Sequence, residues 1–207
     1  MYYIGRDIKF SNPREASKDG LIGVGGDLSV ERLLLAYRKG IFPWFEKEQP
    51  ILWWSPDPRF VLFPEKLKVS KSMKQVLRNS DFEVTVNKDF NKVIKECSQA
   101  NRNGQSGTWI THDMIEAYIQ FHKLGYAKSV EVWLNSELVG GLYGVDLGNG
   151  IFCGESMFTK VSNASKVGFI TFFKNSDYKL IDCQVYTNHL ASLGAEDISR
   201  NEFLKQL

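Results

Sequence analysis

Apolar positions along the 207 residues change period several times, and those changes divide the chain. In SVERLLLAYRKG, Val30, Leu33, Leu34 and Tyr37 recur at helical spacing and Gly40 supplies a stop. Upstream, the four glycines of GLIGVGGDLS predict irregular chain. Downstream, IFPWFEKEQPILWWSPDPR sets four prolines among Trp44, Trp53 and Trp54, which excludes a long helix. A boundary near Pro58 is expected, with a small N-terminal domain over 1–58 and a larger domain over 59–207.

Helical spacing then returns three times. SKSMKQVLRN turns Met73, Val76 and Leu77 inward and Lys71, Lys74 and Arg78 outward. A second helix is predicted from Asp89 to about Asn101, with Phe90, Val93, Ile94 and Cys97 on one face. A third follows Thr111 as N-cap, buries Met114, Ile115, Tyr118 and Ile119, and stops at Gly125. Three helices thus precede the main strands.

From Ser129 the period shortens to two. SVEVWL, LVGGLYGV and IFCGES, separated by NSE and DLGNG, predict an antiparallel meander. A helix opening at Ser162 carries Val167, Phe169, Ile170, Phe172 and Phe173, KLIDCQVY returns as a strand, and Ser199 with Glu202 has capping-box spacing. The expected fold class is α/β, as a mixed α+β sheet rather than a doubly wound one.

Composition adds little except in one place. A content of 43% apolar residues is enough for a core. No apolar run approaches eighteen residues and MYYIGRDIKF lacks the parts of a signal peptide, so a soluble, cytoplasmic protein without membrane contact is expected, a monomer by default. Cys97, Cys153 and Cys183, and His112, His122 and His189, show no ligand spacing, so no metal is expected. Neither GxGxxG nor GxxxxGK[ST] occurs, and no cofactor is expected. The net charge of +2 is uneven. Between Arg59 and Arg78 six basic residues (Arg59, Lys66, Lys68, Lys71, Lys74, Arg78) face one acidic residue, Glu65, which leaves −3 on the remainder.

Three features are candidates for chemistry. Glu155 lies inside FCGESMF, where an unpaired carboxylate is costly to bury; it either ends a strand and pairs with a lysine such as Lys160, or recognises an ammonium or guanidinium group beside an apolar pocket. Strand alternation in KLIDCQVY puts Asp182 and Gln184 on one face, opposite Ile181, Cys183 and Val185, as a solvated face or a functional pair. Trp44 and Trp109 sit in loop-like segments, where a ring either fills the core or stacks on a nucleobase near the basic stretch.

These blocks carry a resemblance. GLIGVGGDLS, LLLAYRKGIFPWF, PILWWSPDPR, GTWIT, SVEVW, LVGGLYGV, FCGESMF, NASK, LIDCQV and HLASLGA occur in family order, and the chain resembles the leucyl/phenylalanyl-tRNA–protein transferases of bacteria. The resemblance implies a C-terminal domain of the acetyltransferase-like (GNAT) fold. It implies transfer of Leu or Phe from aminoacyl-tRNA to the α-amino group of proteins beginning with Arg or Lys, marking them as N-degron substrates.

It also implies residue roles. Trp44 and Trp109 would flank the terminal adenosine of the tRNA. Leu142, Phe152, Met157, Phe169, Phe172 and Ile181 would form the side-chain pocket, with Leu142 where family members can carry Met. Glu155 would recognise substrate, the acceptor's basic residue being favoured. Asp182 and Gln184 would adjoin the reacting ester, Gln184 orienting the amine or polarising the carbonyl and Asp182 holding Gln184 or moving a proton. Lys66, Lys68, Lys71, Lys74 and Arg78 would meet the tRNA, whose affinity is the property placed in doubt by a short end after FLKQL. Two rivals are an acyl-CoA-dependent N-acetyltransferase, for which no [QR]xxGx[GA] loop is found, and a non-catalytic tRNA-binding module.

Overall fold

The computed structural model describes residues 2–100 and 108–207. The opening segment is more regular than its glycines suggest: β1 (Tyr3–Ile4), β2 (Leu21–Gly25), α1 (Val30–Arg38), β3 (Phe42–Pro43) and β4 (Leu52–Trp54) follow in turn. The four strands form one sheet in the order β1-β2-β4-β3. Short strands suffice because the buried Trp53 indole anchors the centre, donating Nε1–H to the Gly25 carbonyl at 2.9 Å. Helix α1 ends as its spacing predicts, and Gly40 takes φ +70° just beyond it.

The rest of the chain builds β5 (Arg59–Leu62), α2 (Lys71–Asn79), β6 (Glu83–Val86), α3 (Phe90–Gln99), α4 (His112–Lys123), β7 (Ala127–Leu134), β8 (Glu137–Asp146) and β9 (Ile151–Thr159). It closes with α5 (Ala164–Lys174), β10 (Leu180–Gln184), α6 (Asn188–Ser192), β11 (Glu196–Ile198) and α7 (Arg200–Leu204). These strands make a seven-stranded sheet in the order β11-β5-β10-β9-β8-β7-β6. The mixed α/β class holds: β7, β8 and β9 form the expected antiparallel meander, and β9 pairs with β10 in parallel.

Two layers cover this sheet. Phe90, Val93, Ile94 and Cys97 of α3 and Met114 and Tyr118 of α4 pack on one face with Tyr143 and Val145. Val167, Phe169, Ile170 and Phe173 of α5 pack on the other with Val130, Leu142, Phe152 and Ile181. Side chains N-cap α2, α3, α4 and α7; the caps at Thr111 and Ser199 are the ones the sequence predicts, the second as a full capping box with Glu202. Helix α5 starts one residue later than Ser162 would make it, at an Asn163 cap with φ +70°.

Among the helices that precede the meander, β6 is an additional strand. Its four residues, Glu83–Val86, gain a full antiparallel ladder to β7, a long-range pairing that outweighs a weak local pattern. The expected helix end at Asn101 and the first residue of GTWIT, Gly107, lie outside the described residues. Among the described residues no helix is long and apolar enough to cross a membrane.

Candidate active site

Strands β9 and β10 pair only from Leu180↔Ile151 to Asp182↔Cys153. Just past that point each carries a bulge on its other edge. Tyr143 faces Ser156 and Gly144 faces Gly154, so Glu155 is the extra residue of β9. Asp182 faces Val61 and Gln184 faces Phe60, so Cys183 is the extra residue of β10. A bulge breaks side-chain alternation and re-aims the residues beyond it. The expected two-face division of KLIDCQVY holds for Ile181 and Cys183, which pack in the cluster under α5, against Asp182 and Gln184, which meet Arg59 and Glu155; of the two readings of that second face the solvated one fails, because both side chains are buried.

Gln184 has φ +64°, a left-handed conformation that a residue with a Cβ adopts only when its surroundings hold it. Its backbone N–H donates to Asp182 Oδ1 at 3.0 Å. Arg59 supplies two further donors to that carboxylate, Nε at 2.7 Å to Oδ1 and Nη2 at 2.6 Å to Oδ2. Asp182 is thus a fully enclosed anion with a paired cation.

The partners of Glu155 are hydroxyls and an amide. Tyr37 donates its O–H to Oε1 at 2.7 Å, Gln184 Nε2 donates to the same oxygen at 2.8 Å, and Tyr118 donates to Oε2 at 3.2 Å. The Tyr37 and Tyr118 hydroxyls also touch each other. Two hydroxyl protons serve three oxygen–oxygen contacts, so a proton on Glu155 completes the set. Burial raises its pKa to about 7, with a smaller push from the Asp182 charge, against the lowering effect of the three donors. The surface ion pair with Lys160 is not formed, because Lys160 pairs with Glu96 at 2.5 Å.

Glu155 and Gln184 border a cavity of about 710 Å³. Its apolar wall includes Leu142, Phe152, Met157, Phe169, Phe173 and Ile181. Ser165, Phe169 and Phe173 reach it at four-residue spacing along α5, whereas Phe172 packs edge-on against Phe152 and at a tilt against Tyr178, with ring centroids at 5.4 and 5.8 Å. Phe172, expected in the pocket, is thus not among the residues that line this cavity, and Phe173 is. Trp44, 40% exposed, and the half-buried Trp109 both line the cavity, while Trp53 and Trp54 belong to the N-terminal sheet.

The five basic residues expected to face tRNA, Lys66, Lys68, Lys71, Lys74 and Arg78, are all exposed. Lys66 is paired with Glu196. Arg59, counted with them by sequence, is only 2% exposed and points inward to Asp182, so it adds nothing to the surface charge. Tyr37 and Tyr118 were legible as inward helix positions but not as carboxylate ligands. The available signal was chemical: a buried tyrosine hydroxyl needs a partner, and Glu155 was the buried group without one. Among the described residues no cluster of three or more His, Cys, Asp or Glu is arranged to hold a metal ion.

Residues 61–207 match the family described as leucyl/phenylalanyl-tRNA protein transferase, and residues 26–57 match its N-terminal domain. The chain belongs to this family. Relatives in the family include the leucyl/phenylalanyl-tRNA–protein transferase of Flavobacterium johnsoniae, 57% identical over 100% of this chain and 99% of that protein. The transferase of the same name from Christiangramia forsetii is 56% identical, with 100% of each chain covered. Among solved structures, a GCN5-related N-acetyltransferase from Kribbella flavida is similar with a TM-score of 0.40 and 11% identity, over 80% of this chain and 60% of that one.

Proposed function

We propose that this chain transfers leucine or phenylalanine, with methionine as a third amino acid, from aminoacyl-tRNA to the α-amino group of proteins beginning with Arg or Lys. The observation that carries this reading is one cavity that joins an apolar wall, two tryptophans and the Glu155–Gln184 pair. An apolar wall suits a Leu or Phe side chain, and tryptophans suit a terminal adenosine. Leu142, Phe152, Met157, Phe169, Phe173 and Ile181 are assigned to the former, Trp44 and Trp109 to the latter. The exposed Lys66, Lys68, Lys71, Lys74 and Arg78 are assigned to phosphates.

The ester bond of an aminoacyl-tRNA is already activated, so positioning and proton management are what the protein must add. The acceptor's nitrogen attacks the carbonyl carbon, the new N–C bond forms, and the C–O bond to the ribose breaks. Gln184 offers its amide to the amine or the carbonyl. Glu155, with a pKa of about 7, is matched to an α-amino group of pKa about 7.7–8.0 and takes up its proton. The ribose oxygen leaves with that proton, passed on from Glu155 by way of the neighbouring ribose hydroxyl, which restores both groups. Asp182 orients Gln184 through its backbone and is committed to Arg59 rather than to proton transfer.

The same reading takes residues 1–58 as a small domain and 59–207 as an acetyltransferase-like catalytic domain, acting as a cytoplasmic monomer in N-degron tagging. The test is transfer of labelled leucine from leucyl-tRNA to two peptides that differ only in an N-terminal Arg or Ala. Transfer to the Arg peptide alone is expected. Bound tRNA with no transfer to either peptide overturns the proposal in favour of a binding module.

A further inference from the structure

The Arg59 guanidinium is held on every side. Phe42 of β3 lies over one part of it, 4.8 Å from the ring centroid to Cζ, and Phe203 of α7 lies at 4.4 Å. Nη1 donates to the Gly40 carbonyl at 3.3 Å, and Nε and Nη2 make the bidentate pair with Asp182. Contacts from the N-terminal sheet, the last helix and strand β10 therefore meet on one side chain. A pair this enclosed is a poor source of net stability, since desolvation offsets much of the attraction, but its geometry is tightly specified.

That geometry leads to the reacting groups in two steps. The Asp182 carboxylate, fixed by Arg59, receives the Gln184 backbone N–H at 3.0 Å, across the bulge where the ladder to β5 is interrupted. The same residue holds the left-handed φ of +64°, and its side-chain amide then reaches Glu155 Oε1 at 2.8 Å. We infer that Arg59 is a positioning residue: it holds Asp182, and through it the strained Gln184 backbone, so that the Gln184 amide is aimed at Glu155 and the cavity. This inference rests on the transferase reading of the site.

The full chain, Arg59→Lys, Gln184→Ala and the double variant are compared in leucine transfer to the Arg peptide, over full ranges of leucyl-tRNA and peptide. Lysine keeps the charge but cannot make the bidentate fork. Arg59→Lys is expected to lower kcat roughly a hundredfold, with KM for both substrates changed by less than about twofold. In the Gln184→Ala background it should add less than about threefold, because the group it positions is gone. Wild-type kcat in Arg59→Lys, or losses that multiply in the double variant, overturns the inference. If Arg59→Lys does not fold, Phe203→Leu, which loosens the guanidinium, takes its place in the same cycle and must show the same non-additivity. No transfer by the unaltered chain overturns the transferase reading, whereas transfer with an additive cycle overturns the positioning role alone.

Discussion

Gln184 donates its side-chain amide to Glu155 Oε1 at 2.8 Å, across the gap where β9 and β10 stop pairing. Each partner stands at a bulge, and neither would reach the other from a regular strand. The groups that surround this pair tie it to pH, to stability and to substrate choice.

Glu155 couples the fold to pH. Between its ordinary value of 4.5 and about 7, the native carboxyl retains a proton that the unfolded chain has released. This contribution is fully present below pH 4.5 and is lost as pH rises to about 7. The swing is about 3 kcal/mol. Denaturant midpoints at pH 5 and pH 8 should therefore differ less for Glu155→Gln than for the unaltered chain, with the variant the more stable at pH 8. Equal pH dependence of the two proteins would refute the assignment.

Tyr37→Phe and Tyr118→Phe each remove a donor that lowers the Glu155 pKa. The acid limb of the transfer rate should move to higher pH in both, with a stability loss of about 1–2 kcal/mol each from the broken hydrogen bond. A pH–rate profile settles the matter: an unmoved limb would separate Glu155 from the titrating step.

Asp182→Ala strands the Arg59 guanidinium in the core. The expected cost is about 3–5 kcal/mol, larger than for Asp182→Asn, which still offers an acceptor to the fork and to the Gln184 N–H. Chemical denaturation of the two variants side by side reads the difference, and equal losses would count against the pair as described.

Leu142→Ala enlarges the apolar wall beside Met157 and Phe169. The ratio of kcat/KM for phenylalanine over leucine should rise by about tenfold, the scale of a few methylene groups in an apolar pocket. An unchanged ratio in competition assays would move the side-chain pocket elsewhere.

Removing the exposed charges of Lys71, Lys74 and Arg78 should weaken tRNA binding without altering amino-acid preference. For every phosphate that loses its cation, the slope of log affinity against log salt should become shallower by about 1. Filter binding across a salt series measures it, and a slope unchanged in the triple variant would exclude this face.

The sequence by itself determined the helices at Val30, Lys71, Phe90, His112 and Ala164, the meander, and the capping box at Ser199. These depend on periodicity and caps, which are properties of neighbouring residues. Family motifs also marked Glu155, Asp182 and Gln184. Which groups those residues meet was decided only in three dimensions. Tyr37 meets Glu155 from 118 positions away, and Arg59 meets Asp182 from 123. Arg59 counted only toward the charge of the basic stretch, which says nothing of what a side chain faces, and the pocket place of Phe172 came from the resemblance alone. A bulge at Cys183 and another at Glu155 shift the ladder register at the two strands that matter, and only the packed sheet determines where an extra residue can be accommodated.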